Sequence, residues 1–161
     1  MILDKLQSLF AAEILGTHQD KGDLTILLKK ARLHDVLAFL KSDPELSFEI
    51  LMDVCGVDYL KMGENPRFEA VYHLYSVTKN HRLRLRVKVP EEDMTLPTAT
   101  DLWKSADWHE REAFDMFGFQ FAGHPNLKRL LLFEGFEGHP LRKDYPMEKR
   151  QKIPVPEDKP T

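Results

Sequence analysis

What the sequence has little of narrows its chemistry first. Cysteine occurs once, at Cys55. The chain therefore cannot close a disulfide on itself, and it cannot alone hold an iron–sulfur cluster, which takes about four thiolates. Cys55 lies in the apolar, strand-like DVCGV, where a cysteine is expected to be a small buried hydrophobe and not a reactive thiol. The eight glycines form no G-x-G-x-x-G and no G-x-x-x-x-G-K-[ST], so neither phosphate-cradling motif is present. G-x-S-x-G is missing too, and nucleophilic catalysis gets no support. No apolar run approaches the roughly 20 residues that span a bilayer. The opening MILDKLQSLF carries Asp4 and lacks a small-residue cleavage site, unlike a secretory signal. An intracellular chain is expected, soluble or held to a membrane by something else. A net charge of −3 exerts no global pull on nucleic acid or anionic lipid.

What is present reads as one globular domain. Hydrophobic residues at 42% and charged ones at 30% make an ordinary balance that argues against disorder along the chain. Leu3, Leu6, Leu9 and Phe10 recur at helical spacing over 2–12. Two short strands, 13–17 and 23–29, flank a turn at 18–22. Leu33, Val36, Leu37 and Leu40 mark a second helix, stopped by Ser42-Asp43-Pro44 because proline disfavours helical geometry in the residue before it. Strands are expected over 47–60, with Phe48, Ile50, Met52 and Val54 on one face, over 67–77, and over 81–89. The last alternates Leu83, Leu85, Val87 and Val89 with Arg82, Arg84, Arg86 and Lys88, the pattern of one buried and one wet sheet face. The basic stripe admits an RNA-binding reading, but no aromatic stacking motif accompanies it, and a solvated sheet face explains it better. A short helix over 107–117 follows, with Asp107 as N-cap, Glu110 at the capping-box spacing and Gly118 as C-cap. The expected fold class is α+β: N-terminal helices packed on a mixed or antiparallel sheet, then a short helix and a long irregular segment containing Pro and Gly. The domain spans 1–146, and the charged, Pro-rich tail 147–161 is expected to be disordered or extended along a partner.

The chain is organised around 108–146, which mixes aromatics, Gly, Pro and both charge signs and repeats FAGHP (121–125) as FEGHP (136–140). His109, Glu112, His124 and His139 admit a zinc or iron centre. The order is His-x-x-Glu, however, and it occurs once, where bundle di-iron sites use two Glu-x-x-His pairs. The simpler reading of each GHP is a turn held by its imidazole. Glu110, Glu112 and Asp115 beside Arg111 read as an ion-paired network rather than an acid–base pair. Arginines, acids and phenylalanines interleaved in this way are what a desolvated protein–protein surface uses. From the residues alone this is a non-catalytic binding or scaffold domain, with no catalytic, cofactor-binding or metal-ligating residue expected.

At those same residues the chain resembles a known family. E-R-E-A-F-D-M-F-G-F-x-F-x-G-H-P-N-L-x-R-L-L (110–131) and G-H-P-L-R-K-D-Y-P (138–146) are similar to the pattern of the 30-kilodalton or C subunit of respiratory complex I, the proton-translocating NADH:quinone oxidoreductase. The sheet sequences at 71–76 and 80–85 match as well. The resemblance implies a free-standing peripheral-arm subunit, on the cytoplasmic side of the inner membrane and not inserted in it. It would dock on the D subunit, beside the B subunit, and stabilise the quinone-reducing module. FMN, iron–sulfur clusters and quinone would be held elsewhere in the complex, and no nucleic acid is implied. The motif positions implied to hold the fold or the interface are Glu110, Arg111, Glu112, Asp115, Gly123, His124, Arg129, Gly138, His139, Arg142, Lys143 and Asp144. Arg142 in particular is expected to serve docking and not folding. The equivalent subunit of a membrane-bound hydrogenase or of a ferredoxin-linked quinone reductase is the alternative within this resemblance. A small metal-dependent enzyme is the alternative from another class.

Overall fold

Five strands form one mixed sheet: β1 (Ile14–Asp20), β2 (Asp23–Leu28), β3 (Ile50–Asp58), β4 (Phe68–Ser76) and β5 (His81–Val89), in the spatial order β1-β2-β5-β4-β3. The coordinates are a computed structural model that describes residues 2–153. β2 and β5 run parallel and the other neighbours antiparallel. The connection from β2 to β3 carries the helix α2 (Leu33–Ser42), while α1 (Ile2–Phe10) precedes β1. Both helices lie on one face of the sheet. Leu6 and Phe10 of α1 join Leu33, Val36, Leu37 and Leu40 of α2 in a single core with Ile26, Leu28, Tyr72, Leu74, Leu83, Leu85, Val87 and Val89. Fully burying one such side chain is worth about 1.5–3 kcal/mol, which places most of the fold's stability on this face.

A smaller parallel pair, β6 (Thr95–Pro97) and β7 (Gln120–Ala122), brackets the helix α3 (Ala106–Phe117). α3 lies against the edge strand β3 at Gly56, where a Cβ would stand 2.6 Å from the Phe117 ring. Contact that close admits only glycine. After β7, no helix or strand occurs among the described residues, and none of the helices described is long and apolar enough to cross a membrane.

Three expectations need correction. β3 does not bury Ile50 and Met52; both are exposed, while Leu51 and Val54 are buried. The cause is a β-bulge between Leu51 and Asp53, which inserts one residue and shifts the alternation by one. Cys55 consequently points to the outer face, half-buried and not in the core. Helix α3 begins at Ala106, with Ser105 before it and no side-chain cap, so Asp107 sits inside the first turn and is not the N-cap. The expected stop is in place: Gly118 has φ +87° and ψ 19°.

The outer sheet face carries the basic stripe, paired to its neighbours. Arg84 donates to Thr25 Oγ1 at 3.3 Å, Arg86 to Glu69 Oε2 at 2.7 Å, and Lys88 Nζ lies 2.8 Å from Glu69 Oε1. Arg82 packs over the Tyr75 ring. Their stems cover Thr25 and Glu69, which are fully buried. Of the tail, Met147–Ile153 is described, and Gln151 binds the Glu137 backbone N–H at 2.9 Å and carbonyl at 2.8 Å. The remainder of the expected extended tail, 154–161, lies outside the described residues.

Candidate functional site

The motif segment is built on the end of α3. A helix C-terminus leaves its last four carbonyls without intrahelical donors, and here each finds one. The Phe114 carbonyl accepts from Gly118 N–H at 2.8 Å, that of Asp115 from His139 Nδ1 at 3.0 Å, that of Met116 from Leu141 N–H at 3.1 Å, and that of Phe117 from Arg142 Nε at 2.6 Å. The chain that returns over this end thus carries an imidazole, a free amide and a guanidinium at the spacing the carbonyls require. Arg142 also places its charge at the negative end of the helix dipole and lies 5.1 Å from the Phe68 ring centre. It is engaged in folding contacts, contrary to the expectation that it serves docking alone.

Asp115 holds the strand-less segment that follows. Its Oδ2 accepts the backbone N–H groups of Leu130, Leu131 and Leu132 at 2.9, 2.8 and 3.0 Å, and its Oδ1 the Arg129 guanidinium at 2.6 Å. Arg129 in turn donates to the carbonyls of Phe136 at 2.8 Å and Gly138 at 3.1 Å. Burial raises the Asp115 carboxyl, but the amides and Arg129 outweigh it and hold the group below the ordinary aspartate range. Gly138 takes φ +89° with the Tyr145 ring 3.0 Å from where a Cβ would be, and Gly123 takes φ +85°.

A second buried carboxylate anchors the far end of the segment to the sheet. Asp58 receives Arg67 Nε and Nη2 at 2.8 and 2.7 Å, and the amides of Leu60 at 2.9 Å and Lys143 at 2.7 Å. Arg67 extends to Asp144 at 2.9 Å and Glu91 at 2.8 Å. Burial opposes ionisation of Asp58, yet Arg67 and the amides bring it down to about 2.

At the start of α3, Glu110 is fully buried. It accepts from Ala99 N–H at 2.7 Å and Thr98 Oγ1 at 2.6 Å. No Lys or Arg pairs with it among the described residues, His124 Nε2 lies 4.0 Å from its Oε2, and burial pushes its carboxyl up to about 7 against the two donors. His124 packs beside it, donating from Nε2 to the Asp107 carbonyl at 3.3 Å and accepting Asn126 N–H at Nδ1 at 3.0 Å. Because the folded-state pKa of Glu110 lies above its unfolded value, its contribution is full below about pH 4.5 and is lost as pH rises through about 7. The loss amounts to at most about 3 kcal/mol. Glu110→Gln keeps an acceptor for Ala99 and carries no charge, so it is expected to flatten the fall in unfolding free energy between pH 5 and 8. Urea melts at four pH values check this, and an unchanged slope in the variant would remove Glu110 as its source.

The expected network of Arg111 with Glu110, Glu112 and Asp115 does not form. Glu110 and Asp115 turn inward, Glu112 is exposed, and Arg111 donates to the carbonyls of Lys128 at 3.2 Å and Arg129 at 3.3 Å while stacking on Trp108. The metal quartet does not assemble either. His109 meets Asp53 with Nδ1 3.4 Å from Oδ1, His124 is held at the start of α3 and His139 at its end. Asp58, Arg67, Gly56 and Gly118 belong to the site but are not among the motif positions the resemblance implied. Of these, Gly118 alone carried a local signal, as a helix stop.

Residues 26–151 match the family model described as respiratory-chain NADH dehydrogenase, 30 Kd subunit. The C subunit of the NADH-quinone oxidoreductase of Roseiflexus sp. (strain RS-1) is 49% identical over 146 residues, covering 91% of this chain and 83% of the relative. That of Burkholderia multivorans (strain ATCC 17616 / 249) is 48% identical over 147 residues, covering 88% and 74%. The trypsin-resistant fragment (1-134) of Nqo5 superposes with a TM-score of 0.69 at 38% identity, over 79% of this chain and 100% of the fragment. A chain of an archaeal membrane-bound sulfane sulfur reductase superposes at 0.74 with 22% identity, over 99% of this chain and 97% of that one, a likeness of fold alone. By the family match and by relatives nearly half identical along most of both chains, this chain belongs to the family of the 30 Kd subunit of respiratory-chain NADH dehydrogenase.

Proposed function

We propose that the chain is a non-redox subunit of a proton-translocating NADH:quinone oxidoreductase, docking on the D and B subunits and stabilising the quinone-reducing module. It would lie on the cytoplasmic side of the inner membrane, held there through the complex, with FMN, iron–sulfur clusters and quinone carried by other subunits. The observation that carries this reading is how the motif divides its side chains. Its charged residues Glu110, Asp115, Arg129 and Arg142 are spent on the chain's own backbone, while Trp108, Leu131 and Leu141 stand exposed. Large apolar groups held outward by a hydrogen-bonded frame are what a partner can cover without an ordering cost.

Leu131→Asp with Leu141→Asp tests the docking surface directly. The double variant is expected to fold, with a loss of stability limited to the packed half of Leu141, because Leu131 is 63% and Leu141 50% exposed. It should be recovered with the D subunit from cells at no more than about a tenth of the parent's yield, the consequence of roughly 1.4 kcal/mol or more lost at an apolar contact. Undiminished recovery would place the interface elsewhere.

A further inference from the structure

We propose that Asp53, Cys55 and His73, on the outer face of the sheet, form a binding site for a divalent transition-metal ion, Zn²⁺ by the character of its ligands. None of the three lies in the motif segment, and the site departs from the expectation that this chain holds no metal. Asp53 and His73 are register partners on β3 and β4, and Cys55 follows two residues along the same face. One ligand atom from each lies within 4.8 Å of the others, and among the described residues this is the group of His, Cys, Asp and Glu side chains that converges so closely. Tetrahedral zinc, at about 2.0–2.3 Å from each ligand, needs ligand atoms roughly 3.5 Å apart. The remaining ångström is within the reach of small side-chain rotations.

The bulge in β3 is what creates this arrangement. Continued alternation from the buried Leu51 would send Asp53 into the core and Val54 outward. The extra residue reverses both, so that Asp53 stands opposite His73 while Cys55, opposite Val71, follows on the same face. Bulges that re-aim side chains are enriched beside functional sites. All three residues are half-buried, so an ion can enter and yet be partly shielded from water.

The surroundings favour a cation. Asp23 and Glu112 add negative charge near His73 and Cys55 respectively, against two arginines that are engaged elsewhere, Arg84 with Thr25 and Arg82 with the Tyr75 ring. His109 reaches from α3 to Asp53 Oδ1 at 3.4 Å, the kind of neighbour that orients a ligating carboxylate. One thiolate, one imidazole and one carboxylate make a set that suits zinc and disfavours calcium or magnesium, which take oxygen. Binding transfers the thiol proton to solvent and leaves the fourth coordination position to water.

Cobalt(II) makes the site visible. The full chain, washed with chelator, is titrated with Co²⁺ and then with Zn²⁺. The expected result is one equivalent bound, with near-ultraviolet sulfur-to-cobalt charge-transfer absorption that Zn²⁺ abolishes. Cys55→Ser should lose that absorption. His73→Ala and Asp53→Ala should weaken binding at least tenfold, and His109→Ala about tenfold, whereas His18→Ala on the exposed strand β1 should change nothing. Absence of charge-transfer absorption in the parent chain overturns the proposal without recourse to any variant. So does cobalt affinity that is unchanged in an Asp53→Ala/His73→Ala chain shown by circular dichroism to be folded.

Discussion

Asp115→Ala is expected to lower the unfolding free energy of the chain by about 3–5 kcal/mol, the cost of removing one partner from a buried ion pair. The substitution strips acceptors from three backbone amides, at 130–132, and leaves the Arg129 guanidinium without its carboxylate. Unsatisfied buried donors cost about 1–3 kcal/mol each, so the summed penalty is large even after water reaches some of them. A domain of this kind has only about 5–15 kcal/mol in hand. Asp115→Asn retains an oxygen for the amides and should lose about half as much. Urea unfolding followed by tryptophan fluorescence resolves the two. If Asp115→Ala melts with the parent, then the segment after α3 is not held by this carboxylate. The sign of the pH effect follows: Asp115 and Asp58 are both held below the ordinary aspartate value. Their stabilisation is complete above about pH 4 and is lost as pH falls through the folded-state pKa, about 2 for Asp58.

Gly118→Ala should be the second most damaging single change, at about 2–4 kcal/mol. Two costs combine. The residue has φ +87°, where an L side chain costs roughly 1–2 kcal/mol. Its Cβ would also stand 2.8 Å from both Arg142 Nη2 and His139 Nε2, the groups that cap the end of α3. Displacing them exposes the Asp115 and Phe117 carbonyls they serve, and overpacking of this kind costs about 1–3 kcal/mol. Gly22→Ala is the matched control: φ is +92° but nothing lies within 4 Å, so the backbone cost alone, about 1–2 kcal/mol, is expected. Equal melting temperatures for the two variants would show that the capping groups move aside freely.

The sequence was legible where structure is local. The alternation over 81–89 marks β5 residue for residue, the spacing of Leu33, Val36, Leu37 and Leu40 marks α2, and Gly118 marks the end of α3. The mixed α+β class with its irregular C-terminal stretch followed from these. Illegible were the features set by distant partners. The β3 bulge cannot be read from ILMDVCGVD, because both registers offer apolar residues to the core; only pairing with β4 selects one. Asp58 gives no periodic signal, yet Lys143, 85 positions later, closes its hydrogen bonds. Glu110 matched a capping-box spacing but is bound by Thr98 and Ala99, which precede the helix. The charged motif residues looked like a surface because charge usually is surface. Here the backbone of the irregular segment supplies the partners that let them turn inward.

The measurement closest to the central claim is recovery of the tagged full chain from its own cells in mild detergent, with the eluate assayed for NADH:quinone reductase activity and iron–sulfur signals. Both should accompany the recovered chain and both should be absent from the chain purified alone. Recovery of the chain without activity or clusters, or with hydrogenase activity and nickel in their place, would contradict a non-redox subunit of an NADH:quinone oxidoreductase.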